Sequence, residues 1–125
     1  MLASRFPLRL TAVLGFFAVL LGAMGAHLLK DALAGVPMGA EHWKTAGLYH
    51  IFHVLIMWAL VARQGRPHPA WWCFLVGLVL FSGSLYGLAL SGMKWLGAVT
   101  PFGGLAFLVG WLWLAIRPPG PRFTR

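Results

Sequence analysis

The longest uncharged stretch of this chain is Pro67–Met93, PHPAWWCFLVGLVLFSGSLYGLALSGM, and it decides the fold class. Its 27 residues contain no Asp, Glu, Lys or Arg. A helix rises about 1.5 Å per residue, so about 20 apolar residues are enough to cross a hydrocarbon core of about 30 Å. This stretch is therefore predicted to contain a transmembrane helix.

Three more uncharged stretches have the length of a membrane span. They are Leu10–Leu29, Thr45–Ala62 and Trp95–Ile116, with 20, 18 and 22 residues. The sequence thus predicts one domain, residues 1–125, and an all-α integral membrane protein with four transmembrane helices in an antiparallel bundle. The four helices are predicted near residues 8–29, 43–62, 70–90 and 95–116.

The composition agrees with a membrane protein and excludes several other classes. Apolar residues make up 60% of the chain and charged residues 10%, with a mean hydropathy of +0.81. A soluble domain has about 25% charged residues, and one of this size could not hide so much apolar surface. The net charge of +8 is spread over the ends of the apolar runs, whereas a nucleic-acid binder gathers its basic residues on one surface. The expected partner is therefore the lipid bilayer, and no nucleic acid is expected.

The distribution of basic residues predicts the orientation in the membrane. Seven Arg residues fall on the side of the two termini, while Lys30, Lys44 and Lys94 fall on the other side. The positive-inside rule places both termini in the cytoplasm, and the expected location is the cell inner membrane. Six Trp residues near the span ends are expected to form an aromatic belt: Trp43, Trp71, Trp72, Trp95, Trp111 and Trp113.

Small residues at helical spacing predict where the helices pack. In lipid, helices associate through such residues because their backbones can approach closely. Gly83 and Gly87 form a GxxxG pair, and one face of the first span is rich in glycine. One of these seams could instead serve a homo-oligomer. The predicted packing residues are Gly15, Gly22, Gly25, Gly83, Gly87, Gly103 and Gly104.

Thr100-Pro101 is predicted to be the least regular point of the fourth span. Either Pro101 kinks one long helix, or Thr100 caps a helix whose first turn begins at Pro101. In the second case residues 94–99 would form a re-entrant or interfacial segment.

Polar side chains inside the spans fall at a similar depth. Because no charged residue lies there, these side chains carry whatever chemistry the spans possess. Polar groups in lipid pair with one another or line a cavity, so the cluster is interpreted as interhelical hydrogen bonding or as a ligand pocket open to the outer leaflet. The candidate ligand-binding residues are His27, Tyr49, His50, His53, Ser82, Ser84, Tyr86 and Thr100. His27, Tyr49, His53, Ser84 and Tyr86 are expected to form one connected network.

The histidines raise the question of a metal or haem site. His50 and His53, three residues apart, could supply two imidazole ligands and His27 a third. No carboxylate or thiolate is expected at their depth, and no acid would orient a histidine beside Ser84 or Tyr86. The sequence therefore predicts no catalytic residue, no metal site and no cofactor.

Five motifs in order along the chain resemble a known family. They are Gly22–His27 (GAMGAH), Trp43–His53 (WxTAxxYHxxH), Leu80–Tyr86 (LFSGSLY), Thr100–Gly104 (TPFGG) and Gly110-Trp111. Together they resemble the domain-of-unknown-function family 423, the YgdD-like and transmembrane-protein-256-like small membrane proteins. The resemblance extends from about Phe6 to Ile116. It implies a four-span inner-membrane or organellar protein and brings no established activity.

The family pattern bears on the histidines as well. His27 and His53 match it, whereas Gln is usual at the position of His50. A metal site made by His50 and His53 is therefore not implied as a family property.

These observations favour a non-enzymatic membrane protein. It would bind a lipid, a quinone or another membrane protein through the polar cluster, or act as an accessory or assembly subunit. The alternative is a redox protein that holds haem, a metal or a quinone through its histidines.

Overall fold

The structure, a computed structural model, describes residues 2–64 and 66–120. Met1, Gly65 and residues 121–125, among them the basic Arg122 and Arg125, lie outside the described residues. The helices are a first span Leu2–Ala26, a connecting helix Lys30–Ala34, a second span Gly39–Gln64, a third span Pro69–Ser91 and a fourth span Lys94–Ile116.

The four long helices confirm the predicted fold class, because each is long and apolar enough to cross a membrane. The predicted boundary is wrong at the first helix, which begins at Leu2 and ends at Ala26. The connecting helix Lys30–Ala34 was not predicted either. An uncharged run marks the part of a helix that lipid can cover, whereas helical hydrogen bonding continues through charged residues such as Arg5 and Arg9.

Local sequence signals set the ends of the third span. His68 caps its N-terminus by accepting a hydrogen bond from the Ala70 amide at 3.1 Å, and Pro69 occupies the first turn. Gly92 ends the span with a φ of 69°, a left-handed conformation that costs glycine little. The turn to the fourth span is therefore tight.

The spans pack in chain order and form an open row. The first span packs against the second, the second against the third, and the third against the fourth. Among the described residues, the backbone of the first span does not approach the third or fourth span. We call the end with the chain termini and the 64–69 turn the terminal end. The end with the 27–38 connection and the 91–94 turn is the connector end.

The apolar core lies mainly between the second and third spans, toward the terminal end. Its buried residues are Val54, Met57, Leu60, Val61, Ala70, Trp71, Phe74, Leu78 and Phe107. A smaller cluster of Leu33, Trp43 and Ala89 closes the connector end. The predicted aromatic belt is therefore wrong for Trp43 and Trp71, which are buried, whereas Trp72, Trp95 and Trp113 are exposed.

The third span contains one π-helical turn, Leu78–Ser82, which widens the helix beside the fourth span. Gly103 of the fourth span faces this turn, and a Cβ atom there would overlap the backbone of Leu80 and Phe81. The two backbones are thus in direct contact at mid-membrane. This closeness depends on the absence of a side chain at Gly103.

Several predicted packing glycines do lie at helix contacts. A Cβ atom on Gly25 would overlap the Trp43 indole, one on Gly87 would lie 3.0 Å from Leu96, and one on Gly15 would lie 3.4 Å from Val54. Gly104 has only an ordinary contact, 3.8 Å from Phe81.

The packing prediction is wrong for Gly22 and Gly83 within the chain. Both are exposed, Gly22 with no atom within 4 Å of its Cβ position and Gly83 with the nearest at 3.8 Å. Spacing along a helix identifies a face, but it does not identify the neighbour of that face. Two tight glycines were missed, Gly39 and Gly77, and Gly110 is tight on the same face of the fourth span as Gly103.

The fourth span is one continuous helix with Pro101 inside it. The alternative in which Thr100 caps a new helix is wrong, because the Thr100 hydroxyl instead donates to the Leu96 carbonyl at 3.2 Å. Lys94–Val99 is helical and is not a re-entrant segment.

Candidate functional site

The predicted polar cluster consists of several separate hydrogen bonds between spans, which we call ties. His50 and Tyr86 join the second and third spans, with 3.0 Å between Nδ1 and the phenol oxygen. The His50 ring also interacts with the Leu14 backbone of the first span, so one imidazole contacts three helices.

Three serine and threonine residues of the cluster form two further ties. The Ser82 hydroxyl donates to the Ala46 carbonyl at 2.9 Å and joins the third span to the second. The hydroxyls of Ser84 and Thr100 lie 2.6 Å apart and join the third span to the fourth. These groups satisfy one another, as polar side chains in lipid must.

His53 ties the second span to the fourth and has both ring nitrogens occupied. Its Nδ1 lies 2.8 Å from the Tyr49 carbonyl, and its Nε2 lies 3.1 Å from the Trp111 indole nitrogen. A carbonyl only accepts and an indole N–H only donates. His53 is therefore the neutral tautomer that carries its proton on Nδ1.

This arrangement does not fit the histidine-based metal or haem site of the alternative reading. The Nε2 lone pair of His53 accepts from Trp111, and Nδ1 of His50 is hydrogen-bonded to Tyr86. Within residues 2–64 and 66–120, no group of three His, Cys, Asp or Glu side chains is placed to hold a metal ion.

The prediction of one connected network is wrong. His27 is exposed at the connector end of the first span, and no hydrogen bond links its side chain to the described part of the chain. Ser84 bonds to Thr100, His53 to Trp111 and Tyr86 to His50, so these pairs are separate. Similar depth did not imply contact, because the side chains leave their helices in different directions.

Three ties at the ends of the spans were not predicted. The Trp43 indole donates to the Leu21 carbonyl at 2.8 Å, and the Trp71 indole donates to the Thr11 hydroxyl at 3.0 Å. His68 Nε2 lies 2.9 Å from the Arg117 carbonyl. The two tryptophan hydrogen bonds could have been expected from the sequence, because a buried indole N–H needs an acceptor.

A groove of about 490 Å³ opens between the second and fourth spans, on the side that faces lipid. A second depression of about 330 Å³ adjoins it and shares Tyr49, His53 and Trp111. The residues that line the larger groove include Tyr49, His53, Phe81, Leu105, Phe107 and Trp111. Six of the eight predicted ligand-binding residues do not line this groove: His27, His50, Ser82, Ser84, Tyr86 and Thr100.

Aromatic rings form the walls of this groove, which we call the aromatic groove. His53 stacks on Phe107 with ring centroids 3.8 Å apart and an interplanar angle of 9°. The Tyr49 and Phe81 centroids lie 4.5 Å apart. Flat, rigid walls of this kind favour a flat, apolar ligand.

The Tyr49 hydroxyl is the free polar group of the aromatic groove. The Tyr49 side chain is 41% exposed, and no hydrogen bond joins its hydroxyl to the residues that the structure describes. The ring lies near the middle of a 26-residue span, where no water is available as a partner. The groove can therefore offer one O–H donor to a ligand that carries an acceptor.

Comparison with known proteins identifies the family. Residues 21–104 match the model of DUF423, a family of proteins of unknown function. The inner membrane protein YgdD of Escherichia coli K12 is 45% identical over 116 residues, which cover 88% of this chain and 86% of the relative. The membrane protein YwdK of Bacillus subtilis is 35% identical over 113 residues, which cover 86% and 90%.

A UPF0382 membrane protein of Staphylococcus epidermidis is 40% identical over 111 residues, which cover 86% of this chain and 89% of the relative. No solved structure gives a significant match. Since the family model spans more than half of the chain and the relatives align along most of it, the chain belongs to the DUF423 (UPF0382) family of membrane proteins of unknown function.

Proposed function

We propose that this chain is a non-catalytic membrane protein that binds a quinone in the aromatic groove. The observation that carries the proposal is the Tyr49 hydroxyl, which lies unpaired among aromatic walls in the middle of the membrane. An unpaired hydroxyl in hydrocarbon is costly, so a ligand that accepts its hydrogen bond is stabilised there.

The chemistry of a quinone matches the groove. A quinone carbonyl oxygen accepts one hydrogen bond, and the flat ring can lie against the exposed Trp111 ring and the half-buried Phe81 ring. An isoprenoid tail can leave through the open side of the groove, which faces lipid. The headgroup and tail thus each have a suitable surface.

A binding role without catalysis is supported by the state of the imidazoles. His53 lies in the groove wall, but both of its nitrogens are used in hydrogen bonds to Tyr49 and Trp111. The imidazole therefore lacks a free lone pair with which to act as a general base on a bound ligand. Tyr49 positions the ligand.

The test is titration of the purified protein in detergent with a short-chain ubiquinone analogue, followed by native mass spectrometry. Tyr49→Phe is expected to weaken binding about fivefold, because it removes one hydrogen bond worth about 1 kcal/mol. Its melting temperature should remain unchanged, since the hydroxyl has no partner within the described residues.

Tyr86→Phe is the matched control, because the Tyr86 hydroxyl lies on His50 and outside the groove. It should retain quinone binding and lower the melting temperature. Equal affinity of the Tyr49→Phe protein and the natural protein would contradict the proposal.

A further inference from the structure

A second groove, of about 710 Å³, lies between the first and second spans toward the connector end. We call it the lysine groove, because Lys44 is the charged residue among those that line it. Its walls are otherwise apolar and include Gly22, Ala26 and Gly47, whose small side chains leave the space open. The lysine and aromatic grooves flank the second span.

Trp43 holds together the two spans that form the lysine groove. Its indole ring occupies the space in which a side chain on Gly25 would lie, and its N–H donates to the Leu21 carbonyl at 2.8 Å. The first and second spans are therefore held together at this level. Gly22, one turn away, has no atom within 4 Å of its Cβ position, so the space beside it is not filled by the chain.

Lys44 gives the lysine groove a positive charge that no acidic residue of its lining balances. It lies five residues after the start of the second span at Gly39, about 8 Å along the helix axis. The chain has two acidic residues, Asp31 and Glu41, and neither lines this groove. Among the described residues Lys44 has no ion-pair partner. Its ammonium group is thus a cation at headgroup depth above an apolar channel.

We propose that the lysine groove binds one anionic phospholipid of the leaflet that contains Lys44. The phosphate pairs with the Lys44 ammonium, because charge-assisted hydrogen bonds to phosphate are strong and the groove supplies no competing anion. An acyl chain lies along the channel beside Gly22 and Gly47. This site is independent of the aromatic groove and of quinone binding.

The experiment is native mass spectrometry of the purified full-length protein. It is titrated with phosphatidylglycerol or with phosphatidylcholine that carries the same acyl chains. The natural protein is expected to retain one phosphatidylglycerol in preference to phosphatidylcholine. Lys44→Met should weaken phosphatidylglycerol binding about fivefold and leave phosphatidylcholine unchanged, because a lysine near the headgroups is worth about 1 kcal/mol. Lys44→Arg should retain the selectivity.

Gly22→Leu should fill the channel and remove the tight lipid of either class. The matched control is Gly83→Leu, which places the same side chain on an exposed glycine of the third span, outside the lysine groove. It should bind lipid like the natural protein. Lys44→Met leaves the packed interior untouched, so it tests the site even if Gly22→Leu does not fold.

Two results would overturn the proposal. One is phosphatidylglycerol binding that remains selective in the Lys44→Met protein. The other is a dimer in the natural protein that Gly22→Leu dissociates, because the groove would then be filled by a second copy of the chain.

Discussion

His53 stabilises the contact between the second and fourth spans and has a defined protonation state. The imidazole is buried, stacks on Phe107 and uses each nitrogen once, toward the Tyr49 carbonyl and the Trp111 indole. A neutral ring with both nitrogens satisfied has no need of water or a counter-ion in hydrocarbon. In this environment histidine therefore acts as a connector between helices.

Removal of the indole donor should weaken this connection. We expect Trp111→Phe to destabilise the protein by about 1 kcal/mol, because His53 Nε2 then has no partner. The measurement is thermal unfolding in detergent. Trp113→Phe is the control, since Trp113 is exposed two residues further along the same helix. A melting temperature lowered equally by both substitutions would show that loss of ring area explains the effect.

Met38 is strained at the start of the second span. Its φ is 57°, although its side chain is 61% exposed and gains little from packing. The left-handed conformation costs a residue with a Cβ atom about 1 kcal/mol. We therefore expect Met38→Gly to raise the melting temperature.

The control for this substitution is Met93→Gly. Met93 is also exposed and precedes a span, but its φ is −69°. Glycine there only adds freedom to the unfolded chain, so it should lower stability. If Met38→Gly is destabilising as well, the strain is not significant.

At the scale of the element, the contact between the third and fourth spans depends on one glycine. The π-helical turn Leu78–Ser82 brings the Phe81 backbone against Gly103. A rigid helix cannot yield there, because the neighbouring atoms are backbone atoms. The adjacent Gly104 has its nearest contact at 3.8 Å.

These two neighbours give a matched pair of substitutions. Gly103→Ala should destabilise the protein by about 2 kcal/mol or more through overpacking, whereas Gly104→Ala should be neutral or slightly stabilising. Thermal unfolding and yield in detergent measure both. Similar stability of the two variants would contradict the close contact.

Gly83→Leu, which the GxxxG pattern predicts to be disruptive, should instead be tolerated because Gly83 is exposed.

At the scale of the molecule, the open row leaves the first and fourth spans largely exposed to lipid. Their most apolar windows are 11% and 17% buried, against 39% for the second and third spans. Each outer span packs along one neighbouring span, and side-chain hydrogen bonds such as Trp71 to Thr11 and His53 to Trp111 join it to a second span.

The whole chain should lie in the membrane with both termini in the cytoplasm, as we propose from its basic residues. In a Cys73→Ser background, a cysteine at position 38 should react with a membrane-impermeant maleimide added to intact cells, and one at position 66 should not. Met38 and Arg66 are both exposed at opposite ends of the structure. Labelling at position 66 alone would reverse the orientation.

The sequence by itself determined the class of protein and the number of spans. Each of the four uncharged runs is long enough to cross the membrane as a helix, in which the backbone N–H and C=O groups are hydrogen-bonded within the segment. The uncharged run Pro67–Met93 also placed the third span within one residue at each end, since residues 70–90 were predicted and the helix extends from Pro69 to Ser91. The motifs around His27, His53 and Gly103 were enough to indicate the family.

Only the tertiary structure decided which faces meet. Periodicity placed Gly22 and Gly25 on one face, yet Gly25 contacts Trp43 while Gly22 opens into a groove. Depth placed His27 near His53, yet His27 is exposed and His53 bonds to Trp111. The physical reason is that helical spacing defines directions around one axis. The rotation of each helix against its neighbours, and the π-helical turn that shifts it, depend on the packing of all the spans together.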